Sequence, residues 1–306
     1  MNKIDKKLLE QIADLHSTPT GVFNIRKNGE AVARHSDAEI EIVPKKGKSG
    51  IDIIVKNGVK NKSVHIPVIV TKGGFTDLVY NTFYIGDDAD VVIIAGCGID
   101  NPTCHDSEHN GIHTFYVGKN AHVKYVEKHF GSGIGKGGKI LNPVTNLHLG
   151  ENSFVEIDTL QIGGVDSSLR TTNATLDDKA KLVIKENILT TDNQQAKTKF
   201  KVNLKGKDCS VEVVSHSVAK DSSRQEFLSN LVGENECFGH VECDGILLGD
   251  AQMISIPKIT AKCVEASLVH EAAIGKIAGD ELVKLMTLGL SQEEAEKVII
   301  QGFLMG

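Results

Sequence analysis

The chain has 306 residues, of which 40% are hydrophobic, a length that suits one large domain or two ordinary ones. Its formal net charge of −6 predicts neither a nucleic-acid partner nor binding to an acidic membrane surface. The first residues are charged and amphipathic, and no long apolar stretch follows, so neither a signal peptide nor a membrane span is expected. Six cysteines without a secretion signal favour a cytoplasmic protein with reduced thiols, which are available as metal ligands.

An amphipathic helix is predicted over residues 3–15, and it is a candidate cap for one end of the domain. Its apolar side holds Leu8, Leu9, Ile12 and Leu15. Short β-rich runs follow between residues 42 and 70, at 51–55 and 64–70. Residues 1–40 are therefore interpreted as a helix and leader region that precedes a β domain.

A repeat begins near residue 84. The segment YIGDDADV at 84–91 recurs as YVGKNAHV at 116–123 and as HLGENSFV at 148–155, with degenerate copies later. The markers are roughly 27–32 residues apart, at Gly86, Gly118, Gly150, Asp177 and Gly206. A fixed period of this size indicates a solenoid whose units must stack to bury their apolar faces. We predict a mainly β protein, a parallel β-helix over residues 41–268; a two-sheet β-sandwich is the alternative, because its strands also alternate with turns.

Residues 269–306 are predicted to end in a helical hairpin. Asp280 is the expected cap of the first helix and Gly289 its end, and Ser291 with Glu294 forms a capping box for the second. The expected packed stripes are Leu282, Leu285, Met286 and Leu288, then Ala295, Val298, Ile299 and Phe303. A helical hairpin on a β domain suits partner docking, although a simple terminal cap fits the same spacing. The candidate partner face is Leu288, Leu290, Ile300 and Phe303.

One cluster of potential metal ligands stands out between residues 97 and 113. Its members are Cys97, Cys104, His105, Glu108, His109 and His113, set among Gly, Asn and Pro. Thiolates and imidazoles in one loop can bind zinc or an iron–sulfur cluster. The C-x6-C spacing matches no common zinc finger, so the alternative is an interior Cys97 with histidines that are merely polar loop residues.

Two C-terminal segments carry a family resemblance. The first segment is the motif CDGILLGD at 243–250, and the second, at 270–303, contains HEAAIGKI at 270–277, GLSQEEA at 289–295 and GF at 302–303. Both segments closely resemble the SufB/SufD proteins of iron–sulfur cluster assembly. The resemblance is strong from about Asn81 onward and weak over the first 60 residues. The chain is shorter than typical SufB and resembles the compact scaffolds of minimal two-component systems. The resemblance implies a right-handed parallel β-helix with terminal helices, paired as SufB with SufD or as like subunits.

The resemblance also implies a site. Cys243, His270 and Glu271 occupy the motif positions associated with cluster assembly, and one thiolate with weaker imidazole and carboxylate ligands suits a scaffold that must release its cargo. Where the family has a further Glu, this chain has Val269, which leaves Glu271 as the sole carboxylate of the motif. From the residues alone, Cys243 is equally an interior packing residue.

The implied function is a non-enzymatic scaffold for a transient iron–sulfur cluster built at a homodimer interface. The implied partners are a separate SufC-like ABC ATPase, a second copy of the chain, and a sulfur donor such as a cysteine desulfurase system. The glycine-rich segment 131–138 does not match a P-loop, so ATP hydrolysis is not expected in this chain. The alternative is a zinc-dependent β-helix hydrolase that uses the Cys97–His113 loop; a polysaccharide enzyme is disfavoured by the low aromatic content of 5% and the absence of Trp.

Overall fold

The fold is a β-solenoid. The computed structural model describes residues 2–17 and 19–305, with 58% of the chain in strands, about eight solenoid turns, an N-terminal helix and two C-terminal helices. Strands of successive turns pair in parallel and in register, which confirms the predicted β-helix and excludes the β-sandwich. No helix among the described residues has the length and apolar character needed to cross a bilayer.

The described residues form three helices and twenty strands. The helices are α1 (Lys3–Ala13), α2 (Gly279–Thr287) and α3 (Gln292–Met305). The first ten strands are β1 (Val22–Lys27), β2 (Glu30–His35), β3 (Ile40–Pro44), β4 (Gly50–Val55), β5 (Lys62–Val70), β6 (Thr76–Ile85), β7 (Asp90–Asp100), β8 (Ser107–Val117), β9 (His122–Ser132) and β10 (Lys139–Leu141). The others are β11 (Val144–Leu149), β12 (Phe154–Ile162), β13 (Ser167–Leu176), β14 (Lys181–Thr190), β15 (Gln195–Leu204), β16 (Cys209–Ala219), β17 (Arg224–Gly233), β18 (Cys237–Leu247), β19 (Gln252–Ala261) and β20 (Ala266–Gly275).

The strands form two sheets that face each other across the solenoid interior. Sheet A has the order β2-β1-β5-β7-β9-β12-β14-β16-β18-β20, and sheet B has the order β19-β17-β15-β13-β10-β8-β6-β4-β3, with β11 beside β13 and β8. At one end, antiparallel strands β2 and β3 complete the sheets. At the other end, within the described residues, β19 and β20 are each paired on one side only. The sheets therefore begin before residue 41 and continue past residue 268.

The turns of the repeat are the predicted ones. Two residues after each marker, the backbone is left-handed, with φ between 54° and 58° at Asp88, Asn120, Asn152, Lys179 and Asp208. The small residue that follows each of them is almost fully buried, at Ala89, Ala121, Ser153, Ala180 and Cys209. Asn and Asp tolerate this conformation better than most residues, which explains their recurrence in the repeat.

Helix α1 lies on the outer face of sheet A and does not cap the solenoid end. Leu8 and Ile12 are buried against β7, where a Cβ on Gly96 would stand only 2.6 Å from the Ile12 carbonyl oxygen. The absence of a side chain at Gly96 thus lets the helix backbone touch the sheet. The helix ends two residues earlier than predicted, because Asp14 adopts a left-handed conformation with φ 53°.

The C-terminal hairpin is present, with a different packed face. Ser291 and Glu294 form the predicted capping box, whereas the N-cap of α2 is Ala278 and not Asp280. Ile300 is only 8% exposed and packs with Leu304 on Val218 of sheet A. Ile300 therefore packs on the solenoid and does not face a partner, contrary to expectation. Phe303 is half-buried against His216, with ring centroids 4.9 Å apart.

Candidate functional site

A row of polar side chains runs along the inner face of sheet A. Because the strands are in register, Glu127, Thr159, Glu186, Ser215 and Cys243 are successive neighbours on β9, β12, β14, β16 and β18. Neighbouring strands lie about 4.8 Å apart, so the row extends over roughly 19 Å. All five side chains are buried. The row connects the neighbourhood of Cys97 with that of Cys243.

Arg170 of sheet B pairs with both carboxylates of this row. Its guanidinium forms ion pairs with Glu127 and, at 3.3 Å, with Glu186. Burial raises the pKa of Glu127, but Arg170 and then His129 outweigh it, so this pKa lies well below its usual value. Burial dominates at Glu186 and raises its pKa, although Arg170 opposes the shift. The interior therefore holds a paired and hydrogen-bonded charge network, which avoids the large cost of an isolated buried charge.

The predicted 97–113 loop is mostly strand, and this prediction was wrong. Cys97 lies on β7, and His109 and His113 lie on β8; only residues 101–106 connect the two strands. Strand alternation turns Cys97, His109 and His113 inward, where they are buried, while Cys104 and His105 are exposed on the connection. The Gly, Asn and Pro residues belong to that short connection. The six candidate ligands are thus divided between the interior and the outside, since Glu108 lies on the outer side of β8.

The inward members of the cluster surround a water-sized cavity. Cys97, His109, His113, Glu127 and His129 line it. His113 Nδ1 lies 2.7 Å from the Tyr125 hydroxyl, and burial lowers its pKa to about 4. Burial raises the pKa of the Cys97 thiol. Among the described residues, no group of three or more His, Cys, Asp or Glu side chains is arranged to hold a metal ion.

Cys243 and His270 both face the interior at the open end of the solenoid. Cys243 on β18 is 1% exposed, and burial raises the pKa of its thiol to about 11, although the Ser255 hydroxyl acts in the opposite direction. His270 on β20 pairs with Val241, and Cys243 pairs with Ala272, so Cys243 and His270 are diagonal neighbours. Both ring nitrogens of His270 are buried without a hydrogen-bond partner. Burial lowers the pKa of this imidazole, which favours its neutral, ligand-competent form.

Glu271 points away from this pair. Consecutive residues of a strand face opposite sides of the sheet, so Glu271 is exposed on the outer face, where its carboxylate lies 3.9 Å from His240 Nε2. Within one chain, the structure therefore brings together two of the three motif residues.

Sequence comparison decides the family. The family model described as "SUF system FeS cluster assembly, SufBD core domain" matches residues 71–303, about three quarters of the chain. The chain belongs to the SufBD family. Iron–sulfur cluster assembly SufBD family proteins are similar to it in three archaea. That of Methanothermobacter thermautotrophicus is 29% identical over 228 residues, covering 74% of this chain. That of Methanocaldococcus jannaschii is 27% identical over 270 residues, covering 84% of this chain. That of Pyrococcus horikoshii is 26% identical over 264 residues, covering 82% of this chain.

The relatives differ in length. The match spans 54% of the Methanothermobacter protein, so this chain covers about half of that relative. It spans 81% of the Methanocaldococcus protein and 79% of the Pyrococcus protein. The family model begins before the Cys97 strand and ends within α3, so it includes every candidate site residue named above.

The sequence analysis of this SufBD chain missed two groups of residues. The first is the interior set Glu127, Arg170 and Glu186, because charged residues are normally assigned to the surface. Their alternation phase gave the signal, since Glu127 shares its side of β9 with the buried Val123 and Tyr125. The second group is three further exposed apolar residues of the hairpin, Val283, Met286 and Val298. Of the predicted partner face, Leu288 is 80% exposed and Leu290 is half-buried.

Proposed function

We propose that this chain is a scaffold on which an iron–sulfur cluster is assembled and from which it is passed on. The observation that carries the proposal is the pair at the open end of the solenoid: Cys243 faces the interior beside His270, whose two ring nitrogens have no partner in a buried position. Nearly all buried polar groups in native proteins are paired, so an unpaired imidazole beside a thiol indicates a position prepared for a ligand. Family membership supplies the chemistry of that ligand.

Iron and sulfide are the cargo in this proposal. A thiol with a pKa of about 11 is neutral at pH 7, so binding of iron by Cys243 replaces the thiol proton with an iron–sulfur bond and releases that proton. His270 adds a neutral nitrogen ligand without releasing a proton. One thiolate and one imidazole hold iron less firmly than four thiolates, which suits a site that must give up its cargo.

A second copy of the chain is the proposed partner at the open end. Strands β19 and β20 expose a row of backbone N–H and C=O groups on the side away from β17 and β18. Such edges pair readily with another chain. Ile256 and Ile259 of β19 are both more than 40% exposed, which gives this end an apolar character. Glu271 lies on the outer face of β20, so it could reach a cluster shared by two copies only around the exposed edge of this strand.

A SufC-like ABC ATPase is the proposed partner of the hairpin. The hairpin exposes four apolar side chains, Val283, Met286, Leu288 and Val298, and α3 is anchored on the outer face of sheet A through Ile300. A partner that moves the hairpin would therefore pull on β14 and β16, the strands that carry Glu186 and Ser215. Sulfur is proposed to come from a donor such as a cysteine desulfurase system, in the cytoplasm.

The test of the scaffold is the Cys243→Ala variant with Cys209→Ala as its matched control. Both cysteines are inward and 1% exposed, on strands β18 and β16, and each replacement removes only a sulfur atom. After anaerobic reconstitution, we expect Cys243→Ala to lose most bound iron and acid-labile sulfide, while Cys209→Ala retains both. Equal cluster content in the two variants would show that Cys243 does not hold the cluster.

The test of the ATPase surface is the double variant Leu288→Glu and Val298→Glu. The control is Val264→Glu, because Val264 is 96% exposed and lies outside the hairpin. Co-purification with the cognate ATPase is expected to fail in the double variant and to persist in the control, since buried apolar anchors carry most of the energy of such contacts. Undiminished co-purification of the double variant would show that these hairpin residues do not bind the ATPase, and the hairpin would then serve only to cover the solenoid.

A further inference from the structure

Ser255 of β19 carries a buried hydroxyl group. Its Oγ lies beside the Cys243 sulfur, whose pKa it lowers, but it makes no hydrogen bond of regular geometry. Its in-register neighbour on β17 is Phe227, and the inward neighbours along its own strand are Met253 and Pro257. A buried hydroxyl without a partner costs about 1–3 kcal/mol, so its presence among apolar neighbours requires an explanation.

The geometry places Ser255 across the interior from Cys243. Strands β18 and β19 are consecutive, and they run in opposite directions on the two facing sheets. A Cβ on Gly245 of β18 would stand 2.1 Å from Met253 Sδ, so positions 245 and 253 face each other directly. Because the two strands run in opposite directions, Cys243, two residues before Gly245, faces Ser255, two residues after Met253. Met253 also lines the water-sized cavity beside Cys243.

We propose that Ser255 is a positioning residue: its hydroxyl donates a hydrogen bond to the sulfur at Cys243 once that sulfur is bound to iron. This inference rests on the proposed function, because it requires cargo at Cys243. A neutral thiol is a weak acceptor, which explains why the hydroxyl lies beside the sulfur without a regular hydrogen bond when no cargo is bound. A metal-bound thiolate carries negative charge and accepts a stronger, charge-assisted hydrogen bond.

The consequence for the site is orientation from both sheets. Ser255 approaches the Cys243 sulfur from sheet B, and His270 offers its nitrogen from sheet A in the same last turn of the solenoid. A hydrogen bond to the sulfur limits the directions in which its remaining lone pairs can bind iron. Hydrogen bonds to ligand sulfur also lower its electron donation and so tune the bound metal.

The experiment uses Co²⁺ as the probe and the full chain. The signal is the thiolate-to-cobalt charge-transfer absorption that is lost in Cys243→Ala. Ser255→Ala is expected to weaken Co²⁺ binding about tenfold and to move this band to longer wavelength, because the sulfur becomes a stronger electron donor without its hydrogen bond. Ser255→Thr keeps a hydroxyl and should retain the wild-type band. Ser217→Ala is the matched control, since Ser217 is also inward, buried and beside the same cavity.

A stability measurement separates positioning from a structural role. Without metal, Ser255→Ala should be at least as stable as the wild type, because it removes an unpaired buried hydroxyl. A Ser255→Ala protein that loses stability and regains it in Ser255→Thr would overturn the proposal, as would an unchanged cobalt band in Ser255→Ala. If the wild-type band does not depend on Cys243, the assignment of Cys243 itself fails, and with it the role of Ser255.

Discussion

Acidification tests the buried histidine at the centre of the interior network. His113 is 7% exposed, and its pKa is lowered from 6.5 to about 4, mainly by burial; Glu127 opposes the shift, and His109, His129 and Arg170 add to it. The unfolded chain therefore binds a proton at this residue near pH 6.5, while the folded chain does not until about pH 4. Stability from this residue is fully present above pH 6.5 and is lost as the pH falls toward 4. Between pH 7 and pH 5, the two pKa values correspond to a loss of about 2 kcal/mol.

Urea unfolding of the wild type and of His113→Gln, at half-unit steps from pH 7 to pH 5, measures this loss. The free energy of unfolding of the wild type should fall by about 2 kcal/mol more than that of His113→Gln over this interval, because Gln does not titrate. His129 and His65 also have lowered pKa values, so a residual slope is expected in the variant. The reasoning is refuted if the two proteins show the same dependence of stability on pH. An unequal m-value would indicate instead that the replacement altered the folded state.

Three further predictions concern packing and charge, and all are measured as free energies of unfolding at pH 7. Gly96→Val should lower stability by about 1–3 kcal/mol, because its side chain would meet the backbone of α1, whereas Gly275→Ala, with no atom within 4 Å of the new Cβ, should change it by less than about 0.5 kcal/mol. Ile300→Ala should cost about 2–4 kcal/mol and Leu288→Ala almost nothing, since only the first is buried; equal effects would contradict the packing of α3. Arg170→Met should cost about 3–5 kcal/mol, because it removes the guanidinium that pairs with two buried carboxylates. A second measurement at pH 5 checks this cause, since a loss that does not shrink there would argue against it.

The repeat made the architecture predictable. Each turn of the solenoid needs a left-handed residue followed by a small buried one, and this requirement is visible at Asn120 and Ala121 in the sequence itself. The packing of the last helix was less predictable, because Ile299 and Ile300 are adjacent and both apolar. Which of the two faces the sheet depends on how the helix rotates against Val218, a tertiary contact that local spacing does not encode.

The motif residues of the candidate site were visible in the sequence, but their arrangement was not. The motif around Cys243 and His270 is visible in the sequence, but the opposite orientation of Glu271 follows from its place on a strand. At residues 97–113, the abundance of Gly, Asn and Pro suggested one loop, whereas the strands continue to Asp100 and resume at Ser107. Ser255 gave no signal at all, because a single Ser in an alternating strand has no distinctive spacing.

In the in-register row from Glu127 to Cys243, the distance between two members is set by the number of strands that separate them. Removal of a whole turn between two of its members would bring them closer by about 4.8 Å and leave every side chain on its own side of the sheet. Removal of a single residue from a strand would instead exchange inside and outside for the later positions of that strand, and would turn Cys243 toward solvent if it fell between Cys237 and Cys243. Length variation that preserves the chemistry of the interior is therefore restricted to complete turns and to the connections between strands.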